Sequence, residues 1–144
     1  SALSPVITPN VLPPGPPRNV AAVRGDALAT VTWDPPLDPG TAPVWDYWVQ
    51  YSSNGGATWT TFFDGIRSAT GATVTGLTNG TPYLFRVAAV NKNGPSPWVV
   101  TSTAVTPLAR ASAPTITSLT AGDKLINVTW TTPNGNGSTI TGYV

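Results

Sequence analysis

The sequence predicts an all-β protein, a seven-stranded Greek-key β-sandwich followed by a partial second copy. Three observations carry this. In Leu77–Asn91, a turn (Asn79-Gly80-Thr81-Pro82) runs into a stretch where Tyr83, Phe85, Val87 and Ala89 occupy every second position. That period of two marks a half-buried strand, with Leu84, Arg86 and Ala88 on its other side. A Tyr just after such a corner buries its ring while its hydroxyl bonds back to the turn, the tyrosine corner of Greek-key sandwiches. Turn signals recur roughly every 8–12 residues, as a sandwich requires. Finally, Gly25-Asp-Ala-Leu-Ala-Thr-Val-Thr-Trp33 matches Gly122-Asp-Lys-Leu-Ile-Asn-Val-Thr-Trp130, a period of 97 residues.

Residues 1–15 are rich in Pro, which excludes a helix and favours a stiff, extended linker. Val6, Ile7, Val11 and Leu12 leave open an edge strand added to a neighbour. The complete module spans 16–107. Val20 and Ala22, then Ala29, Val31 and Trp33, alternate across a Gly25-Asp26 turn and predict two strands. Asp34–Gly40 holds three Pro and is a loop. Tyr47, Val49 and Tyr51 make the next strand, and Asn54-Gly55-Gly56 turns it into Thr58–Phe63. Thr70–Leu77, the Tyr83 strand and Trp98–Thr106 complete seven. Residues 108–113 read as a linker. Residues 114–144 read as the first strands of a second module, whose Ile116, Leu119, Ile126, Val128, Trp130, Ile140 and Tyr143 need an opposing sheet. The expectation is a polypeptide that continues, or another chain that completes the fold by donating a strand such as Val6–Leu12.

Composition narrows the function classes. The chain has 144 residues, 40% hydrophobic and only 9% charged, with 16 Pro, 14 Gly and no Cys, Met or His. Absent Cys excludes disulfides, thiolate metal sites and Cys nucleophiles. A net charge of +1 offers no field for nucleic acid or an anionic membrane, and no apolar run is long enough to span one. Ser1 in place of an initiator Met raises the expectation of a processed product or a piece of something longer.

Trp33 near the end of the second strand, Tyr47-x-Val49-x-Tyr51, the Leu77–Tyr83 corner and Ala89-Val-Asn-x-x-Gly-x-Ser96 together resemble the fibronectin type III domain. The resemblance covers about 16–107 fully and 114–144 in part. It implies an immunoglobulin-like sandwich and extracellular or cell-surface use. Ser53-Asn-Gly-Gly-Ala-Thr-Trp59 and Asn136-Gly-Ser-Thr-Ile-Thr-Gly-Tyr143 look more like the bacterial and bacteriophage branch than the animal one.

The expected core comprises Trp33, Tyr47, Leu77, Tyr83, Phe85, Val87 and Trp130. With Tyr47, Val49 and Tyr51 inward, Trp48 faces out, and Trp59 across the hairpin shares its face. Exposed indoles there suit sugar stacking or a protein anchor, or else cover one another or a neighbouring subunit. Trp45 and Trp98 flank loops. Arg24-Gly25-Asp26 matches the adhesion tripeptide but sits in the wrong loop of the family; a turn explains it, with Gly supplying positive φ and Asp bonding the local backbone. Asp34 and Asp38 share a loop without the oxygen density a Ca²⁺ site needs. Asn79, Asn127 and Asn136 fit the glycosylation sequon, the first followed by Pro82 and read as a turn. No base–nucleophile pair, metal site or cofactor site is expected.

These features suggest a non-catalytic spacer or interaction module of a secreted or surface-displayed multi-domain protein. Its partners are neighbouring modules or subunits, with glycans possible, and neither nucleic acid nor membrane insertion. The alternatives are a bacteriophage virion appendage or decoration protein, and an accessory module of a carbohydrate-active enzyme.

Overall fold

The computed structural model describes residues 10–144. Its strands are β1 (Arg18–Arg24), β2 (Leu28–Asp34), β3 (Asp46–Ser52), β4 (Thr60–Phe62) and β5 (Gly71–Thr75). There follow β6 (Leu84–Asn91), β7 (Gly94–Pro95), β8 (Val99–Val100), β9 (Thr115–Gly122) and β10 (Leu125–Thr131). One antiparallel sheet runs β1-β2-β5 and its partner runs β4-β3-β6, with β7 and β8 both on the free side of β6. The period-two apolar residues of each sheet meet in one core. Val31, Val74, Phe85, Val87, Val49, Trp33, Tyr47, Leu77 and Tyr83 are all buried there. Each such side chain contributes roughly 1.5–3 kcal/mol by leaving water.

The corner forms as the sequence implies. The Thr78 N–H donates to Tyr83 Oη at 3.1 Å, so the ring is buried without stranding its hydroxyl. Tyr51 packs edge-on against Tyr83, and Trp33 lies 5.3 Å from Tyr47 between ring centroids. The Arg24–Asp26 turn differs from expectation. Gly25 does not adopt positive φ; Ala27 does, at 52°. Gly25 lies close against Leu28, where a Cβ would stand 2.5 Å from the movable Leu28 Cδ1. Asp26 accepts from Asn79 Nδ2 at 2.9 Å, while the Ala27 N–H donates to Asn79 Oδ1. The first sequon Asn thus ties the tripeptide to the corner.

The final strand of the sandwich is broken. Trp98–Thr106, expected as one strand, is reduced to β8 and an isolated bridge between Tyr83 and Val105, and β7 lies in the Asn93–Pro97 segment before it. Pro95 and Pro97 have no N–H to give a ladder. Two buried hydroxyls substitute on the acceptor side: the Ala89 N–H donates to Ser96 Oγ at 2.9 Å and the Phe85 N–H to Thr101 Oγ1 at 3.2 Å. β4 and β5 are also shorter than Thr58–Phe63 and Thr70–Leu77.

The β9–β10 hairpin repeats β1–β2. Ala22↔Val31 and Val23↔Thr30 correspond to Leu119↔Val128 and Thr120↔Asn127, each 97 residues on. Lys124 takes the positive φ of Ala27, and Gly122 abuts Leu125 as Gly25 abuts Leu28. Trp130, expected in a core, is 44% exposed. No sheet opposes it among the described residues, and Tyr143 packs edge-on against its ring, 5.2 Å away. Val6 and Ile7 lie outside the described residues. Val11 and Leu12 form no strand; Leu12 O instead accepts from the Thr41 N–H and from Asn91 and Asn93 Nδ2.

Candidate functional site: an aromatic face closed by Arg86

The outer face of the β4-β3-β6 sheet carries the residues the core does not use. Alternation along β3 turns Trp48 and Gln50 outward, and along β6 it does so for Arg86 and Ala88. Register sets Trp48 beside Ala88 and Gln50 beside both Arg86 and Thr61. Gln50 spans the row: its Nε2 donates to Thr61 Oγ1 at 3.0 Å, and its Oε1 accepts from Arg86 Nε and Nη2 at 2.8 and 2.5 Å. This fork flattens the guanidinium against the sheet.

Two indoles enclose it. The Arg86 guanidinium carbon lies 4.3 Å from the Trp59 ring centroid and 4.5 Å from that of Trp98. Trp98 in turn lies 6.5 Å from Trp48, tilted by 37°. The burial this imposes pushes Arg86 below the ordinary arginine range, and the facing π-clouds stabilise the cation that burial opposes. Trp59 is delivered by a six-residue connection, Ser53–Thr58. There Asn54 Oδ1 accepts from the Thr58 N–H, and Ser52 Oγ accepts from the Gly56 N–H. Gly55 and Gly56 have φ of 71° and 93°, which the sequence signal Asn-Gly-Gly supplies without strain.

Beside the stack lies a groove of about 460 Å³, lined among others by Trp48, Gln50, Phe62, Phe63, Ile66 and Trp98. Phe63 is 89% exposed and Ile66 72%, so the groove continues into an apolar rim. Arg67 closes that loop through a 2.8 Å ion pair with Asp64, and its N–H donates to the buried carboxylate of Asp46. Apolar walls with a few fixed polar groups, Asp46 and Asp64 among them, are the make-up of a recognition groove.

Trp48 and Trp59 both lie on this face. They are not a two-ring platform, because Arg86 and Trp98 intervene and the guanidinium occupies one face of Trp59. Sequence reasoning missed Arg86, Gln50 and Trp98. The available signal was Arg86 itself, a lone cation on the outward side of an otherwise apolar strand. Trp45 is half exposed and flanks β3, its N–H donating to Val90 O. Asp34 Oδ2 accepts from Asn19 Nδ2, while Asp38 Oδ1 accepts from the Gly40 N–H. Among the described residues no His, Cys, Asp or Glu cluster is arranged for a metal, and no helix is long and apolar enough to cross a membrane.

Comparison with known proteins agrees with this architecture. Protein sidekick-1 of Mus musculus is 34% identical over 140 residues, covering 91% of this chain and 6% of its own length. At that coverage the match runs beyond the sandwich into the β9–β10 hairpin. The cardiac-type myosin-binding protein C of Rattus norvegicus is 33% identical over 95 residues, 65% of this chain and 8% of its own. This chain therefore spans a small fraction of these relatives. A crystal structure of titin domains superimposes with a TM-score of 0.61 at 28% identity, covering 67% of this chain and 33% of that one. The twitchin kinase region of C. elegans gives 0.60 at 28% identity, covering 67% of this chain and 17% of that one. These relatives are animal proteins, and the likeness of two loops to bacterial and bacteriophage sequences gains no support from them. The family model for the fibronectin type III domain matches residues 15–105, the span that holds the two facing sheets and the tyrosine corner. With its sandwich, its corner and its relatives in agreement, this chain belongs to the fibronectin type III domain family.

Proposed function

We propose that the chain is a non-catalytic structural and interaction segment of a longer multi-domain protein, one complete module followed by the opening strands of another. The observation that carries this reading is the equal register of β1–β2 and β9–β10 under a shift of 97 residues, including the left-handed residue and the glycine–leucine contact of each turn. A hairpin built on the same plan has the same need. Ile126, Val128 and Trp130 stand where Ala29, Val31 and Trp33 are buried, and they require the sheet that β3 and β6 provide in the first module. The module's work is to hold its neighbours in sequence and to offer the Trp48–Trp98–Arg86–Trp59 face to a protein partner. Exposed Phe63 and Ile66 beside that face favour a protein over a sugar, since a glycan would leave them in water.

Trp130 emission tests the module reading, taken as the difference spectrum between wild type and Trp130→Phe. In the 144-residue chain it should be red-shifted, as for a ring in water; in a version carrying a whole second module it should shift to the blue. Blue emission from a monomer of the shorter chain would defeat the reading. The extracellular or cell-surface location belongs to the same proposal and has its own check. Secreted expression in a eukaryotic host should add a glycan at Asn127, whose sequon lies on exposed β10.

A further inference from the structure

The segment between the sandwich and the second hairpin is held on both sides. Towards the sandwich, the Leu108 N–H donates to Gly25 O at 3.1 Å, and Pro107 O accepts from the Gly80 N–H at 2.9 Å. Towards the hairpin, the Ala109 and Ser112 N–H groups donate to Asn136 O and Asn134 O at 3.0 and 2.9 Å. Asn136 Nδ2 donates to Arg110 O at 2.7 Å, and the Asn134 N–H donates to Ser112 Oγ at 2.9 Å. The residues expected to be a linker thus exchange hydrogen bonds with both neighbours.

Gly137 closes the contact. Its φ is 95°, and a Cβ there would stand 2.5 Å from Gly80 N, 2.8 Å from Leu108 Cδ2 and 3.0 Å from the Asn79 carbonyl carbon. The approach is therefore glycine against glycine, with the Asn79-Gly80 corner on one side. The front of the sandwich is built alike. Gly40, 97 residues earlier, has φ of 76°, and a Cβ there would stand 2.4 Å from Leu12 O. The Thr41 N–H donates to Leu12 O and the Gly15 N–H to Asp38 O, so again the incoming segment lies hydrogen-bonded along the loop. One construction occurs twice, and at Gly137 its occupant is visible.

We propose that this glycine loop is the module's docking surface for the module before it. The Asn79-Gly80 corner and Leu108 of one module seat on Gly137 of the next and fix their mutual orientation. The proposal rests on the module reading above, and its partner is a like module within the same polypeptide. A seat that tight does not tolerate a side chain, so one substitution should free the joint while both hairpins persist.

Backbone amide order parameters of the whole chain provide the test. Ala109 and Ser112 should reach the rigid value of about 0.85, and in Gly137→Val they should fall below about 0.6. Gly142→Val, where an added Cβ meets nothing within 4 Å, should leave them rigid. The amides of Val31 and Val87 report the sandwich, and those of Thr120 and Val128 the hairpin. Ordered hairpin amides with mobile Ala109 and Ser112 in the wild type would overturn the joint and leave the module reading standing. A disordered hairpin would overturn both. Unchanged order in Gly137→Val would show that the glycine contact does not set the orientation.

Discussion

Replacing Arg86 with Met removes the guanidinium but keeps an unbranched stem between the two indoles. Two cation–π contacts at 4.3 and 4.5 Å are lost, each worth roughly 1 kcal/mol at a half-buried site. The fork onto Gln50 Oε1 adds about 1.5 kcal/mol, counted once because both N–H groups share one acceptor. Sulfur–aromatic packing by Met returns about 0.5–1 kcal/mol. The net loss should be about 2.5–3 kcal/mol, a large part of the roughly 5–15 kcal/mol that holds a domain folded. In urea, with a slope of about 1–3 kcal/mol/M, the midpoint should fall by about 1–3 M. Arg86→Lys should lie between the two, since an ammonium neither stacks flat nor forks onto an amide oxygen. A double-mutant cycle with Trp98→Leu should give a coupling of about 1 kcal/mol. A midpoint shift below about 0.2 M for Arg86→Met would refute the reasoning, because the stack would then be geometry without energy.

Trp33→Ala should cost on the order of 3–5 kcal/mol and nearly unfold the sandwich, a melt displaced by only a degree or two being the contrary result. The loss is all packing, since Trp33 Nε1 has no hydrogen-bond partner. Tyr83→Phe should cost roughly 0.5–1.5 kcal/mol by stranding the Thr78 N–H, and an unchanged midpoint would remove the corner bond from the account. Burial raises the Tyr47 phenol above its ordinary value of 10.0, so the folded state holds that proton longer than the unfolded chain does. Its contribution is complete below pH 10.0 and is lost as pH rises from there through the folded value; Tyr47→Phe should flatten that alkaline decline. Arg24→Ala should change neither stability nor cell attachment, because Gly25 and Asp26 serve the turn and the Asn79 tie; a severalfold drop in adhesion would contradict this.

The sandwich was legible because its information is local. Tyr83, Phe85 and Val87 announce their face by alternation, and Gly25–Trp33 recurs at Gly122–Trp130 without reference to anything distant. What stayed hidden depends on register between strands far apart in the chain. That Gln50 faces Arg86 follows only once β3 and β6 are aligned, and Trp98 joins them through a strand broken by two prolines. Trp130 stays exposed for a related reason: pattern identifies the side a residue faces, whereas burial needs a second sheet. The turn at Gly25 failed differently. The left-handed residue of that turn is Ala27, and Gly25 instead lies close against the Leu28 side chain.

The broken last strand matters when like modules stand in series. Neighbours joined by a short segment meet one another's edges at millimolar effective concentration, and an open edge would invite strand exchange between them during synthesis. Pro95 and Pro97 deny that edge a run of donors, while Ser96 Oγ and Thr101 Oγ1 engage the N–H groups of Ala89 and Phe85 from within. At the opposite edge, β1 slips register between Arg18 and Ala21, where Asn19 turns to positive φ. On the proposed module reading, each module would pair more readily with itself than with its copy, which would let a repetitive polypeptide fold one unit at a time.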